Sequence, residues 1–170
     1  MQKNIFNIPV FILILLIGLV VSCSEEPEPE LRTREMEWAE LDSIIRNLEA
    51  DGLDVDTTDR LVFYIVRKPG EGPTPKQGDV CSVEYWGYFN NRLFDDSKIF
   101  NNNLWVFPYQ FKKEVHEVLG LIDVIGYMNQ GAEVDMYIPS DLAYGSKGKD
   151  NIPPYTTLFY KAKMHHLEPQ

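Results

Sequence analysis

The feature that most constrains this chain is a change of hydrophobic period near residue 61. Before it, residues 34–50 read REMEWAELDSIIRNLEA. Trp38, Leu41, Ile45 and Leu48 recur there at spacings of three and four, which is one apolar stripe on a helix. Gly52 follows the last apolar residue and reads as a C-terminal cap. The stripe is expected to dock onto the domain that follows, with a dimerising helix as the alternative. From residue 61 onward β-branched and aromatic runs are broken by Pro and Gly. Leu61–Arg67, Val80–Phe89, Arg92–Asp95, Trp105–Tyr109, Glu133–Ile138 and Thr156–Met164 read as strands. Asn90-Asn91 is the expected hairpin tip, and 69–78 a turn-rich loop. Val118–Met128 reads as a short helix with Leu121, Ile125 and Met128 on one side. One short helix among about five antiparallel strands predicts an α+β domain over residues 60–170, preceded by a helical lead-in over 33–59. The short helix has nothing else to cover, so it is expected to lie across one face of the sheet.

The first residues are of another kind. After Lys3, Ile5–Val21 is an almost unbroken apolar run ending Val20-Val21-Ser22-Cys23. Asn7 and Pro9 shorten its apolar part to about 12 residues, where a membrane span needs roughly 20. The run therefore reads as a secretory signal over residues 1–22 rather than an uncut anchor. Its end resembles the lipobox of bacterial lipoproteins, which implies cleavage before Cys23 and attachment of lipid to that residue. Residues 24–30, SEEPEPE, cannot build a core, so 23–32 is read as an acidic tether. Acidic residues after a lipidated Cys also resemble the surface-export signal of Bacteroidetes lipoproteins. The implied location is the bacterial cell envelope, lipid-anchored at the outer membrane, on either its periplasmic face or the cell surface.

Charge and motifs narrow the function. The whole chain carries net −10, and a chain starting at Cys23 carries −11, because Lys3 is the one charged side chain before it. An acidic chain without a basic patch does not bind nucleic acid by neutralising phosphates. With Cys23 acylated, Cys81 has no partner for a disulfide. It alternates with Val83 and Tyr85 and reads as a small core hydrophobe. There is no CxxC, HExxH or GxGxxG, and neither metal nor cofactor is expected. His165-His166 is read as a chance pair, since neighbours on a strand point to opposite faces.

YIPSDLAYG followed by IPPYTTLFYKAKM resembles the C-terminal half of the FKBP-type peptidyl-prolyl isomerases. GDVCSVEYWGYF, RLFDDS and WVFPY fall in that family's order, so the resemblance covers roughly residues 60–167. The preceding helix is similar to the helical lead-in of lipoprotein members. The resemblance implies a sheet wrapped around the short helix, with a hydrophobic pocket between them. It implies that Tyr144 forms a wall and donates its hydroxyl to a carbonyl of a bound peptide, and that Ile152 covers the same edge. Tyr85 matches the Tyr on the pocket wall. Phe94 and Asp95 match the aromatic-acid pair, the Asp accepting a hydrogen bond from the wall Tyr. Trp105 matches a Phe, Val118 an aliphatic whose backbone N–H meets the ligand, and Tyr160 a Phe at the base. Leu121 stands where many members have a Trp floor.

An isomerase of proline-containing segments of exported proteins is implied, as are tacrolimus-type macrolides as ligands. The sequence also departs from the family at Leu121, at Val124 where a Gly is common, at Trp86, and in a longer 109–118 segment. A binding module with little or no turnover is the alternative those departures favour.

Overall fold

The computed structural model describes residues 31–170; the signal segment, Cys23 and nearly all of the acidic tether lie outside the described residues. Residues Arg32–Gln170 form one compact unit. It opens with α1 (Arg34–Ala50), whose first turn is capped by Thr33, its hydroxyl oxygen accepting the Met36 N–H at 3.3 Å. At the other end Gly52 N–H bonds to Glu49 O at 2.9 Å and Leu53 N–H to Leu48 O at 3.0 Å. This pair of reversed bonds satisfies the last carbonyls and stops the helix. Leu41 and Ile45 are buried and Trp38 and Leu48 half-buried. Glu37, one turn before Leu41, is buried with them.

The sheet has seven antiparallel strands rather than about five: β1 (Asp56–Thr57), β2 (Phe63–Lys68), β3 (Val80–Phe89), β4 (Arg92–Asp96), β5 (Trp105–Pro108), β6 (Glu133–Ile138) and β7 (Leu158–Glu168). Their order is β1-β2-β6-β7-β3-β4, with β5 also paired to β3. β4 and β5 share one edge of β3, β4 on Trp86–Phe89 and β5 on Val80–Val83. β1 is two residues long, too short to leave an alternation in the sequence. Leu61 is not in a strand. It sits at φ +66° in a turn where its N–H bonds to Thr58 O and Thr58 N–H bonds to Val62 O. Asn90 and Asn91 both take positive φ, 48° and 59°, the left-handed pair that a two-residue hairpin requires and that Asn tolerates.

The second helix, α2, runs Leu119–Ile125, shorter at both ends than the apolar spacing predicts. Its C-terminus tightens into three-residue bonds, Tyr127 N–H to Val124 O and Met128 N–H to Ile125 O, so Met128 packs from a turn. α2 packs on β6 and β7. Val83, Ile122, Ile125, Met136, Ile138, Leu158 and Met164 close the core between helix and sheet. Cys81 is buried beside them, its thiol pushed up to about 12 by burial, which leaves it inert. A bulge at His165 puts both histidines outside, where His165 meets Glu84 and His166 meets Gln130. The face-alternation rule does not separate them, because the bulge interrupts it.

Helix and sheet approach closely at Gly120, where an added Cβ would lie 2.3 Å from Cγ2 of the fully buried Ile138. Gly120→Ala is therefore expected to overpack the core and destabilise the fold by about 1–3 kcal/mol. A melt with an unchanged midpoint would show that α2 can shift freely on the sheet.

Candidate functional site

A cleft of about 850 Å³ opens between the β3–β4 hairpin and the loop that joins β6 to β7. Phe94, Asp95, Tyr144 and Ile152 line it, with Glu117 from the segment before α2 and Lys149 from the loop. Phe94 and Asp95 are sequence neighbours and would ordinarily face opposite sides of β4. The β3–β4 register pairs Gly87 with Asp95 and Tyr88 with Leu93. Phe94 is thus the extra residue of a bulge, which aims both side chains at one cleft.

Asp95 is the polar centre of this site. Tyr85 Oη donates to Asp95 Oδ1 at 3.3 Å, and Tyr160 Oη donates to Asp95 Oδ2 at 3.0 Å. The second bond depends on a missing side chain. Gly87 pairs with Asp95 on one side and Tyr160 on the other. A Cβ on Gly87 would lie 2.6 Å from Tyr160 Cζ, so the phenol crosses above a glycine to reach the carboxylate. Tyr85 is held at its backbone too, its N–H bonding to Ser97 Oγ at 3.1 Å. Burial raises the Asp95 carboxyl above the ordinary carboxylate value, while the two phenols and Lys149 pull it back down. Burial and the adjacent carboxylate push Tyr85 and Tyr160 well above the usual phenol range. Both remain donors at any physiological pH.

Tyr144 differs from these two. Its ring meets Phe94 edge-on at 6.3 Å, and Phe94 stands perpendicular to Tyr160 at 5.9 Å. Burial, with Glu117, Asp95 and Asp150 nearby, pushes its hydroxyl up to about 12. That hydroxyl bonds to none of the described residues, so it is a protonated donor with an open valence at the cleft. Lys149 stands 5.3 Å from the Tyr144 ring and forms an ion pair with Glu117, tying the loop to the segment before α2 across the rim.

The remaining expected residues do not line the open cleft. Tyr160 is fully buried, and Tyr85, Val118 and Leu121 are buried. Tyr85 meets Trp105 edge-on at 5.7 Å and Tyr160 at 6.1 Å. Trp105 stacks on Phe107. Val118 is the N-cap of α2, with no side-chain cap bond. Of the nine expected side chains, four line the cleft, Tyr85 and Tyr160 reach it through Asp95, Trp105 meets Tyr85, and Val118 and Leu121 belong to the core.

Sequence reading missed His116. Its ring packs edge-on against Trp105 at 5.5 Å and Phe107 at 5.6 Å, and its buried Nε2 has no partner. It lies in the charged run KKEVHEV, where nothing in the pattern marks a buried residue. Burial lowers its pKa below 6.5. The unfolded chain therefore takes up this proton first. The neutral ring's contribution to stability is complete above pH 6.5 and is lost as pH falls toward the folded value. His116→Leu is expected to melt with a shallower loss of stability than the parent between pH 7 and pH 5. Parallel pH profiles would contradict burial of the neutral ring. Tyr160→Phe tests the other unforeseen contact. It leaves Asp95 Oδ2 without its donor and is expected to lower stability by about 1–3 kcal/mol, read in a denaturant titration.

An antiparallel sheet packed on one short helix, with a cleft beside a hydrogen-bonded Tyr and Asp, defines an α+β class. Residues 72–165 match the FKBP-type peptidyl-prolyl cis-trans isomerase family, and the chain belongs to it. It is 34% identical over 120 residues to a probable FKBP-type peptidyl-prolyl cis-trans isomerase FkpA of Neisseria meningitidis, covering 69% of this chain and 41% of that protein. It is 28% identical over 115 residues to FkpA of Escherichia coli, covering 68% of this chain and 41% of the relative. The chain therefore spans less than half the length of these relatives. Among solved structures it resembles a Pseudomonas syringae peptidyl-prolyl cis-trans isomerase, with TM-score 0.65 and 22% identity, covering 81% of this chain and 98% of that one. It also resembles Escherichia coli FkpA, with TM-score 0.60 and 24% identity, covering 80% of this chain and 63% of that one.

Proposed function

We propose that this chain is a peptidyl-prolyl cis-trans isomerase that acts on proline-containing segments of exported proteins. The observation that carries the reading is the Tyr144 hydroxyl, unbonded among the described residues, on a cleft wall with Phe94 and Ile152, where each Asp95 oxygen already accepts from a phenol. Rotation about an X–Pro bond has a barrier of about 20 kcal/mol, because twisting breaks amide resonance. The planar amide is the more charge-separated form. The apolar wall of Phe94, Ile152 and the Tyr144 ring solvates that form less well than water does, while the twisted form loses less on entry. Phe94, Ile152 and the Tyr144 ring hold the proline, and the Tyr144 hydroxyl fixes a carbonyl while the preceding group turns. The gain comes from tighter binding of the twisted state, with no bond made or broken. Asp95 acts through Tyr85 and Tyr160 by holding the wall and base in place. Tacrolimus-type macrolides are ligands that the same cleft is proposed to accept.

Residues 1–22 are proposed as a lipoprotein signal, Cys23 as the acylated residue, 23–32 as a tether and 60–170 as the isomerase domain, held at the bacterial outer membrane. The sequence of residues 5–23 supports this, and mass spectrometry of the mature N-terminus tests it.

A second reading, a peptide-binding module with little turnover, is favoured by one observation. Tyr85, Leu121 and Tyr160 are buried, so the open cleft does not reach the base on which a proline ring would sit. Exchange of a Leu-Pro peptide, followed by NMR with the full chain in detergent micelles, separates the two. The isomerase reading expects acceleration by the parent and about a tenfold loss in Tyr144→Phe, one hydrogen bond's worth of transition-state stabilisation. A larger loss is expected in Asp95→Ala, which frees two buried phenols. Perturbed peptide shifts without acceleration would establish the binding module. Neither effect, from folded protein, would overturn the cleft assignment.

A further inference from the structure

The loop that carries Tyr144 and Ile152 leaves β6 at Ile138 and enters β7 at Leu158. Both of its ends are fastened to one buried side chain on α1. Glu37 Oε1 accepts the Ser140 N–H at 2.7 Å and the Thr157 hydroxyl at 3.0 Å, while Oε2 accepts the Ser140 hydroxyl. Glu37 and Ser140 are each 1% exposed. Three donors from two points 17 residues apart thus converge on one carboxylate. A buried carboxylate carries a desolvation cost that an apolar residue at the same place in the stripe would avoid. Its partners are all on the loop's two ends, so the benefit it returns is the placement of those ends.

A second line runs from α1 to the same loop. Arg32 donates to the Tyr155 carbonyl from Nε and Nη2, at 3.3 and 3.1 Å, and is itself held by Glu40. Tyr155 sits at φ +50°, a left-handed conformation that a non-glycine residue keeps only where its surroundings enforce it. Its N–H in turn bonds to the Gly145 carbonyl at 3.0 Å, next to Tyr144. Arg34 pairs with Asp141 just after Ser140. Between these fastenings the loop has few bonds of its own. Lys149 and Ile152 close a small internal turn, and Leu142 and Ala143 bond back to Pro139 and Ser140.

We infer that Glu37 is a positioning residue for the cleft: α1, through Glu37 and Arg32, sets the opening of the Tyr144–Ile152 loop and so the affinity for peptide. The inference rests on the cleft being the peptide site. On that reading side-chain contact with peptide comes from the loop and from Phe94 on β4, and α1 acts on the peptide only through the loop. Sequence carried one sign of this. Glu37 lies four residues before Leu41, on the stripe of a helix whose other charged residues face out.

The test compares the full chain with Glu37→Gln, which keeps the shape but gives up one acceptor oxygen, and with Ile65→Val, a core change in β2 away from the loop. Amide hydrogen exchange of residues 145–152 and peptide affinity are measured well below melting, with the saturated isomerisation rate alongside. The clamp expects faster exchange in that loop, about fivefold weaker peptide binding and a saturated rate changed less than twofold. It expects none of this in Ile65→Val, even where the two lose similar stability. Parent-like loop exchange and affinity in folded Glu37→Gln would overturn the clamp and leave Glu37 a support for the fold. Where Glu37→Gln does not fold, Arg32→Ala carries the same comparison, with loop loosening in favour and parent-like exchange against. A parent that binds no peptide would sink the cleft assignment, and loop exchange would still decide the clamp.

Discussion

The site depends on one cross-strand row, Tyr160 on β7, Gly87 on β3 and Asp95 on β4. Gly87 has no side chain, and the space it leaves is the path by which the Tyr160 hydroxyl reaches Asp95. A slip of one residue in β3 would put Trp86 or Tyr88 into that gap and turn Cys81, Val83 and Tyr85 out of the core. The alternation of the strands and the geometry of the cleft are therefore fixed by the same register. The bulge at Phe94 completes the row by delivering an aromatic and a carboxylate from adjacent positions.

Much of this was legible in the sequence. β3 and β6 run over the residues that alternation predicts, and α1 covers the apolar stripe to the residue, because each is decided by local periodicity. The Asn90-Asn91 turn was legible for a similar reason, since few residues accept two consecutive positive φ values. What escaped depends on partners distant in the chain. Leu61 is drawn into a turn by Thr58 and Val62, and β1 exists only because β2 lies beside it. α2 is shortened because its last turn tightens beyond Ile125. The burial of His116 follows from two aromatic rings on β5, and its own neighbours in sequence are charged. For the site, seven of the nine residues suggested by the resemblance meet at or around Asp95 and the cleft, and Val118 and Leu121 lie in the core. The division between open cleft and covered base was not legible, because it depends on how far the Tyr160 ring and its hydroxyl extend.

Several polar groups around the site are held by one another. Asp95 accepts from two phenols, Glu37 from three donors, and Glu117 pairs with Lys149. Tyr144 is the exception on the cleft wall, a hydroxyl among aromatic rings with its proton available. On the isomerase reading this hydroxyl is the donor set among the aromatic rings, and Asn90, Arg92 and Asn151 add further polar groups around the lining.

This distribution bears on turnover. An isomerase gains from a wall that stays still while the bound amide twists, since a wall that relaxes around the planar form stabilises both states alike. The fixed parts here are the Tyr85–Asp95–Tyr160 cluster on the sheet and the loop ends fastened to α1. The loop between those ends has few bonds of its own, and on the isomerase reading it is the part left to adapt to different sequences around a proline. A rigid base under an adaptable rim separates two demands, recognising varied segments and resisting relaxation during the twist. The hydroxyl of Tyr160 serves the second demand, since it ties the base to Asp95, at the cost of depth for the proline ring. The balance between catalysis and mere binding thus turns on whether that base opens enough to admit the ring while Asp95 keeps both phenols.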